Sequence, residues 1–379
     1  MPQSPKTPLA VLAGVGALVA LSACDSTGST TGAAGGPIKV EASDTSCAVA
    51  TSTANAGNLT FEITNKGSKV TEFYLYAEGD RIMGEVENIA PGLNRRLIVE
   101  VPDAGKYQTA CKPGMVGNGI RGDFTVTGGA AKQNDVNAQK SEATKSYATY
   151  IANNTSALET ETAKFVDTVK AGKVDEAKAQ YATTRAYYER IEPVAEKFGD
   201  LDPLIDVREA DLTAGQQFTG FHRLEKDLWV TGLKPDSGQV ADKLLTDVKD
   251  LVTKTKTLQL TALDLANGAK GLLDEVATGK ITGEEETFSH TDLWDFQANV
   301  DGSKGAIAAL RPILQERDPA LVSTLDKQFA NVQALLDKTR SGDGFKYYNQ
   351  LSPDEIKAFA SAVDALSEPL SKVAEVVSK

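Results

Sequence analysis

The chain has 379 residues, of which 41% are hydrophobic and 24% charged, enough apolar material for a globular protein of two or three domains. Its formal net charge of −12 argues against nucleic acid or anionic lipid as a partner of the folded part, and is compatible with binding cations.

The N-terminus reads as a targeting segment. Lys6 gives a short basic start, and the apolar run Leu9–Leu21 is too short to span a bilayer comfortably but suits the core of a secretory signal. It leads into Leu21-Ser22-Ala23-Cys24, which resembles the lipobox of bacterial lipoproteins. By that resemblance residues 1–23 are removed and Cys24 carries lipid at the outer face of the cell membrane. The plain alternative is a secretory signal with an incidental cysteine. Residues 24–37, mostly Ser, Thr, Gly and Ala, form a flexible tether.

Residues 38–128 have the period of strands. IKVEA, NLTFEITN, KVTEFYLYA, RIMGEVENI, NRRLIVEV, GKYQTAC and GIRGDFTVT often alternate apolar with polar, and turn signals such as Pro91-Gly92 separate them. That pattern predicts a β-sandwich or Greek-key barrel. Cys47, Glu72, Cys111 and Met115 stand out within it. Cys111-Lys-Pro-Gly-Met115 resembles the ligand loop of small copper proteins, yet residues 38–127 contain no histidine, so a His₂Cys copper centre cannot be built. The two cysteines form a bridge, or bind a metal with Glu72 and Met115, or stay free; an exported, oxidising setting favours the bridge.

From 135 to 379 the spacing becomes helical, with helices expected near 135–171, 174–198, 214–231, 238–279 (one or two), 292–315, 319–340 and 353–378. Ser352-Pro-Asp-Glu355 is a capping box, and Thr282-Gly-Glu-Glu285 has the same spacing. Pro193 cannot donate to the carbonyl of Glu189, so the second helix should loosen there.

Only two histidines occur, and acids surround both. In GFHRLEKDLW (Gly220–Trp229), His222 and Glu225 share one helix face, so imidazole and carboxylate can converge on an ion; the plain alternative is a core histidine with a carboxylate partner. Glu189 and Glu192 repeat that spacing, and Asp202 and Asp206 lie on a turn just before the histidine helix. His290, Asp292 and Asp295 form a second acidic and aromatic cluster, in which His290 and Asp292 are possible outer contributors. A set of carboxylates with one or two imidazoles suits iron or manganese, or calcium if no histidine joins. HExxH, GxSxG, a Walker loop and a GxGxxG after a strand are all absent, so hydrolysis and nucleotide chemistry have no support.

Together the lipobox, KVTEFYLYAEGDRIMGEVENIAPG, ACKPGMVGNGIRGDFTV, YYERIEP, GFHRLEKDLW and SHTDLWDF resemble the EfeO family of extracytoplasmic iron-uptake components, in order, over essentially the whole mature chain. The resemblance implies a cupredoxin-like domain at 38–128 followed by an imelysin-like, nominally peptidase, helical domain at 135–379. It implies His222, Glu225, Glu189, Glu192 and Asp206 as metal ligands, and Cys47, Glu72 and Cys111 as the matching positions of the β-domain. Iron, ferric or ferrous, is then the cargo, with copper or zinc a further candidate for the β-domain. The implied partners are a membrane iron permease and a haem-dependent peroxidase. A metallopeptidase, or a polymer-binding lipoprotein with a structural metal, are the rival readings.

Overall fold

The computed structural model describes residues 36–128 and 136–379; the readings made for residues 1–35, the signal, Cys24 and most of the tether among them, lie outside the described residues. Among the described residues no helix is long and apolar enough to cross a membrane.

The N-terminal lobe is a two-sheet sandwich of β1 (Ile38–Ala42), β2 (Cys47–Val49), β3 (Thr53–Asn55), β4 (Gly57–Asn65), β5 (Thr71–Tyr76), β6 (Ile82–Ile89), β7 (Asn94–Val101), β8 (Gly105–Cys111) and β9 (Ile120–Thr127). One sheet has the order β2-β1-β4-β7 and the other β3-β9-β8-β5-β6. Two pairs are parallel, β1 with β4 and β3 with β9, and the rest antiparallel. Alternation sends Leu59, Phe61 and Ile63 of β4, and Phe124 and Val126 of β9, into one shared core. β5 is buried on both faces. Phe73 and Leu75 enter that core, while on the other side Tyr74 and Tyr76 stack at 5.2 Å beneath Lys112 and Arg121.

The C-terminal lobe is helical apart from a short antiparallel ladder of Arg340–Ser341 with Gly344–Phe345: α1 (Val136–Lys170), α2 (Val174–Glu189), α3 (Leu201–Asp206), α4 (Gly220–Lys226), α5 (Ser237–Thr255), α6 (Ala262–Thr278), α7 (Asp292–Arg317), α8 (Pro319–Lys338), α9 (Pro353–Leu370) and α10 (Val373–Ser378). The region expected as 238–279 is two helices, and Thr261–Asp264 closes a capping box on the second. The box at Ser352–Glu355 forms as its spacing predicts.

Several elements differ from expectation for local reasons. α4 starts at Gly220 rather than near 214, because Thr213 to Gln216 closes a turn in which the glutamine side chain accepts from the Thr213 amide. Thr282–Glu285 starts no helix: Gly283 is left-handed at φ 77°, and the Thr282 hydroxyl donates to the Gly279 carbonyl. The segment 201–206, read as a turn, is the short helix α3.

The lobes meet through side chains that reach backbone carbonyls. Asn267 donates to Ile98 at 2.8 Å, Lys197 to Ile82 at 3.0 Å and Asn58 to Ser378 at 2.9 Å, and Ile98 belongs to the helical core. The described residues of both lobes belong to one compact unit.

Candidate metal centre

Pro193 builds the first wall of the site. α2 ends at Glu189, and a 3₁₀ segment, Glu192–Phe198, replaces the helix that periodicity alone would continue. The carbonyl of Glu189, which proline cannot serve, accepts from Nδ2 of Asn299 at 3.2 Å. That amide also donates to Glu189 Oε2 at 2.8 Å and Glu192 Oε2 at 2.7 Å, so both carboxylates are aimed inward together.

Gly220 builds the second. Its φ is 77°, and an added Cβ would lie 2.1 Å from the Ile205 carbonyl. The start of α4 is thus pressed onto the end of α3, which places His222 beside Asp206. His222 is 1% exposed and Glu225 0%. His222 Nδ1 lies 3.3 Å from Glu225 Oε2, and Glu225 Oε1 accepts the amides of Phe288 and Ser289 at 2.9 and 2.6 Å.

The expected ligands do converge, in overlapping groups. Glu189, Glu192 and Asp206; Asp206, His222 and Glu285; and His222, Glu225 and Glu286 each offer one ligand atom per residue, all within 4.8 Å of one another. A cavity of about 240 Å³ opens onto His222, Glu225 and Glu285, with Arg208, Glu209 and Phe288 at its rim.

The centre of this constellation is Arg185, which the sequence reading missed. Its side chain is wholly buried. It pairs with Glu189, with Asp206 at 3.0 Å, Glu285 at 2.6 Å, Glu286 at 3.0 Å and Asp295 at 3.2 Å, and its Nη2 lies 3.0 Å from His222 Nε2. A guanidinium only donates, so in the neutral tautomer that fits this contact Nε2 accepts and the ring proton on Nδ1 faces Glu225. Burial and Arg185 lower His222, while Glu225, Glu285 and Asp206 raise it to about 9. That raised pKa favours the protonated ring at neutral pH, whereas a metal takes the neutral form, so an ion arriving at His222 competes with a proton.

Lys280 is the second internal cation, 2% exposed, with Nζ 2.9 Å from Glu189 Oε2 and 2.8 Å from both Glu192 oxygens. Against burial, Arg185 and Lys280 hold Glu189 down at about 2. Burial and the Glu189 charge push Glu192 well up. Burial raises Asp206 to about 7 despite Arg185 and His222. Against its own burial, Glu285 is held far down by Lys280, His222 and Arg185, whereas burial and Glu225 drive Glu286 up. Charge therefore exceeds its compensation, and part of the excess is carried as protons. Asp295 Oδ2 is buried without a hydrogen-bond partner.

Glu285 and Glu286 were also missed, although the run Glu284-Glu285-Glu286 directly precedes the second histidine cluster. His290 shares no ligand group with His222; it turns the chain at φ 59°, and its carbonyl accepts from the Tyr348 amide. Asp292 is 1% exposed and accepts the Glu286 amide at 3.2 Å, so it orients a candidate ligand from behind. In the β-lobe, Cys47 and Cys111 are bonded, with Cα atoms 5.5 Å apart. Both sulfurs are thereby used in a bridge between the sheets. Glu72 accepts from Tyr74 at 2.9 Å and faces Lys112 at 3.8 Å, and Met115 is 38% exposed on a neighbouring turn. The structure gives the bridge rather than a thiolate metal site.

A β-sandwich joined to a helical lobe that buries His-x-x-Glu among carboxylates defines the class. The family described as Imelysin matches residues 143–373, and the chain belongs to it; the family described as Cupredoxin-like domain matches residues 12–126. More particularly, the chain is similar to the iron uptake system component EfeO of Escherichia coli O157:H7, with 41% identity over 90% of this chain and 91% of that protein. The same-named protein of Escherichia coli K12 is 40% identical over the same shares, so the chain stands within the EfeO family. Among solved structures, a reduced auracyanin from Roseiflexus castenholzii aligns with 25% of this chain and 100% of its own, at 17% identity and a TM-score of 0.22.

Proposed function

We propose that this protein takes part in iron uptake by binding iron in the helical lobe and passing it to a membrane permease. One observation carries the reading: overlapping trios of carboxylate and imidazole donors come from α2, the 3₁₀ segment after it, α3, α4 and the turn before α7, the ligand atoms of each trio lie within 4.8 Å of one another, and His222, Glu225 and Glu285 line an open cavity. Their oxygen-rich chemistry suits a hard or borderline cation such as iron. Iron would meet His222, Glu225 and Glu285 at the cavity and reach Glu189, Glu192 and Asp206 further in. The names of the relatives support iron as the cargo.

Binding rather than peptide hydrolysis fits Glu225. Against burial, its hydrogen bonds with His222 and Ser289 lower its pKa, away from the range a general base at neutral pH needs. Lipidation at Cys24 would hold the binding lobes near the permease, and a haem-dependent peroxidase would be the further partner; both belong to this proposal. Titration of iron into the wild type and a His222→Ala, Glu225→Ala double variant tests it. Weaker binding or lower stoichiometry in the variant is expected, and unchanged binding would remove the claim.

A further inference from the structure

Resting on the iron-binding reading, we propose that Lys280 is a built-in surrogate cation: its ammonium fills the carboxylate hollow of the metal-free protein and must swing out for the cargo ion to bind. Nζ sits 2.8–2.9 Å from oxygens of both Glu189 and Glu192 and 3.8 Å from Glu285. Those first two carboxylates, with Asp206, are one of the trios that can close on a single ion. A hard cation takes such oxygens at about 2.0–2.6 Å. It would therefore share the space of Nζ, and the two like charges cannot occupy it together.

The hollow is built to outlast the departure of the lysine. Asn299 donates to Glu189 Oε2 and Glu192 Oε2 at 2.8 and 2.7 Å, so a neutral amide holds the two carboxylates in place when the ammonium leaves. The two buried cations also differ in how they are held. Arg185 is fixed on α2 by carboxylates from several elements. Lys280 instead extends a four-carbon stem from a one-turn 3₁₀ segment, Lys280–Thr282, bounded by Gly279 and Gly283. The ammonium can leave while the guanidinium stays. Exchange of one cation for another keeps the buried carboxylates compensated in both states, and it makes affinity depend on how firmly Lys280 is seated.

Two measurements test this. Wild type is acylated briefly with an amine-reactive acetyl ester, with and without ferrous iron alone under anaerobic conditions, and modification of Lys280 is read by mass spectrometry. Labelling should be slow without metal and rise severalfold with it; equal or slower labelling on loading would overturn the proposal. Lys280→Met should melt at a lower temperature without metal, bind ferrous iron at least tenfold more tightly, and gain more in melting temperature on loading than wild type does. Equal or weaker binding by a folded variant would also overturn it, and if the variant does not fold, the wild-type labelling decides. Should wild type bind no iron, the parent reading fails. Should it bind with Lys280 still protected, only the surrogate role fails.

Discussion

Replacing Arg185 by Met tests whether one guanidinium holds the site together. The side chain is wholly buried and faces carboxylates of Glu189, Asp206, Glu285, Glu286 and Asp295. Methionine keeps much of the volume, so the loss is electrostatic rather than a cavity. Removing one partner of a buried ion pair costs about 3–5 kcal/mol. The same range is expected here at about pH 8, because several acids share the one cation and the least favoured take up protons. Without Arg185 the folded-state pKa values of Asp206, Glu286 and Asp295, already raised by burial, rise further, and Glu189 and Glu285 lose a charge that holds them down. A raised carboxylate is neutral in both states at low pH; above its unfolded pKa, staying protonated in the fold costs stability progressively until the folded pKa is passed. Glu189 and Glu285, held down in the wild type, already contribute at pH 5 and lose part of that contribution in the variant, so the deficit is present at pH 5 and should grow towards pH 8. Urea unfolding of metal-free wild type and variant at both pH values measures it. A deficit below about 1 kcal/mol, or one equal at the two pH values, would refute the reasoning.

Asn299→Leu leaves the Glu189 carbonyl, freed by Pro193, buried without its donor, and should cost about 1–3 kcal/mol in denaturant unfolding while weakening iron binding. Gly220→Ala forces a Cβ against the Ile205 carbonyl at a positive φ. It should destabilise by at least about 1–3 kcal/mol and reduce metal affinity by displacing His222, and a variant as stable as wild type would contradict the close approach described. Reducing the Cys47–Cys111 bridge, which spans a sequence separation of 64, should lower stability by up to about 4 kcal/mol, read as a drop in urea midpoint that an added thiol reproduces.

The fold was largely legible because its periods are clean. Strand alternation survives in β4 and β9 since each has one face in the core, and β2 and β3 escaped notice because three residues cannot display a period. Helix ends were harder. Thr282–Glu285 has the letters of a capping box, but the left-handed Gly283 and the burial of Glu285 beside Arg185 and Lys280 overrule them. Tertiary charge pairing there outweighs a local signal worth about 1 kcal/mol.

The site was legible in its acids and obscure in its cations, and the reason is physical. Searching for metal ligands selects histidines and carboxylates, whereas a metal-free cluster of buried acids can fold only if something positive compensates it. That requirement is readable in principle. Arg185 stands four residues before Glu189 on the same face of α2, the spacing at which a helix sets a cation against a carboxylate. Lys280 has no such mark, because it reaches Glu189 and Glu192 from a turn 91 and 88 residues away. The general rule that follows concerns any chain whose acids seem to gather for an ion. The lysines and arginines that must neutralise them before the ion arrives belong to the site as much as the ligands do, and their seating sets how strongly the ion has to compete.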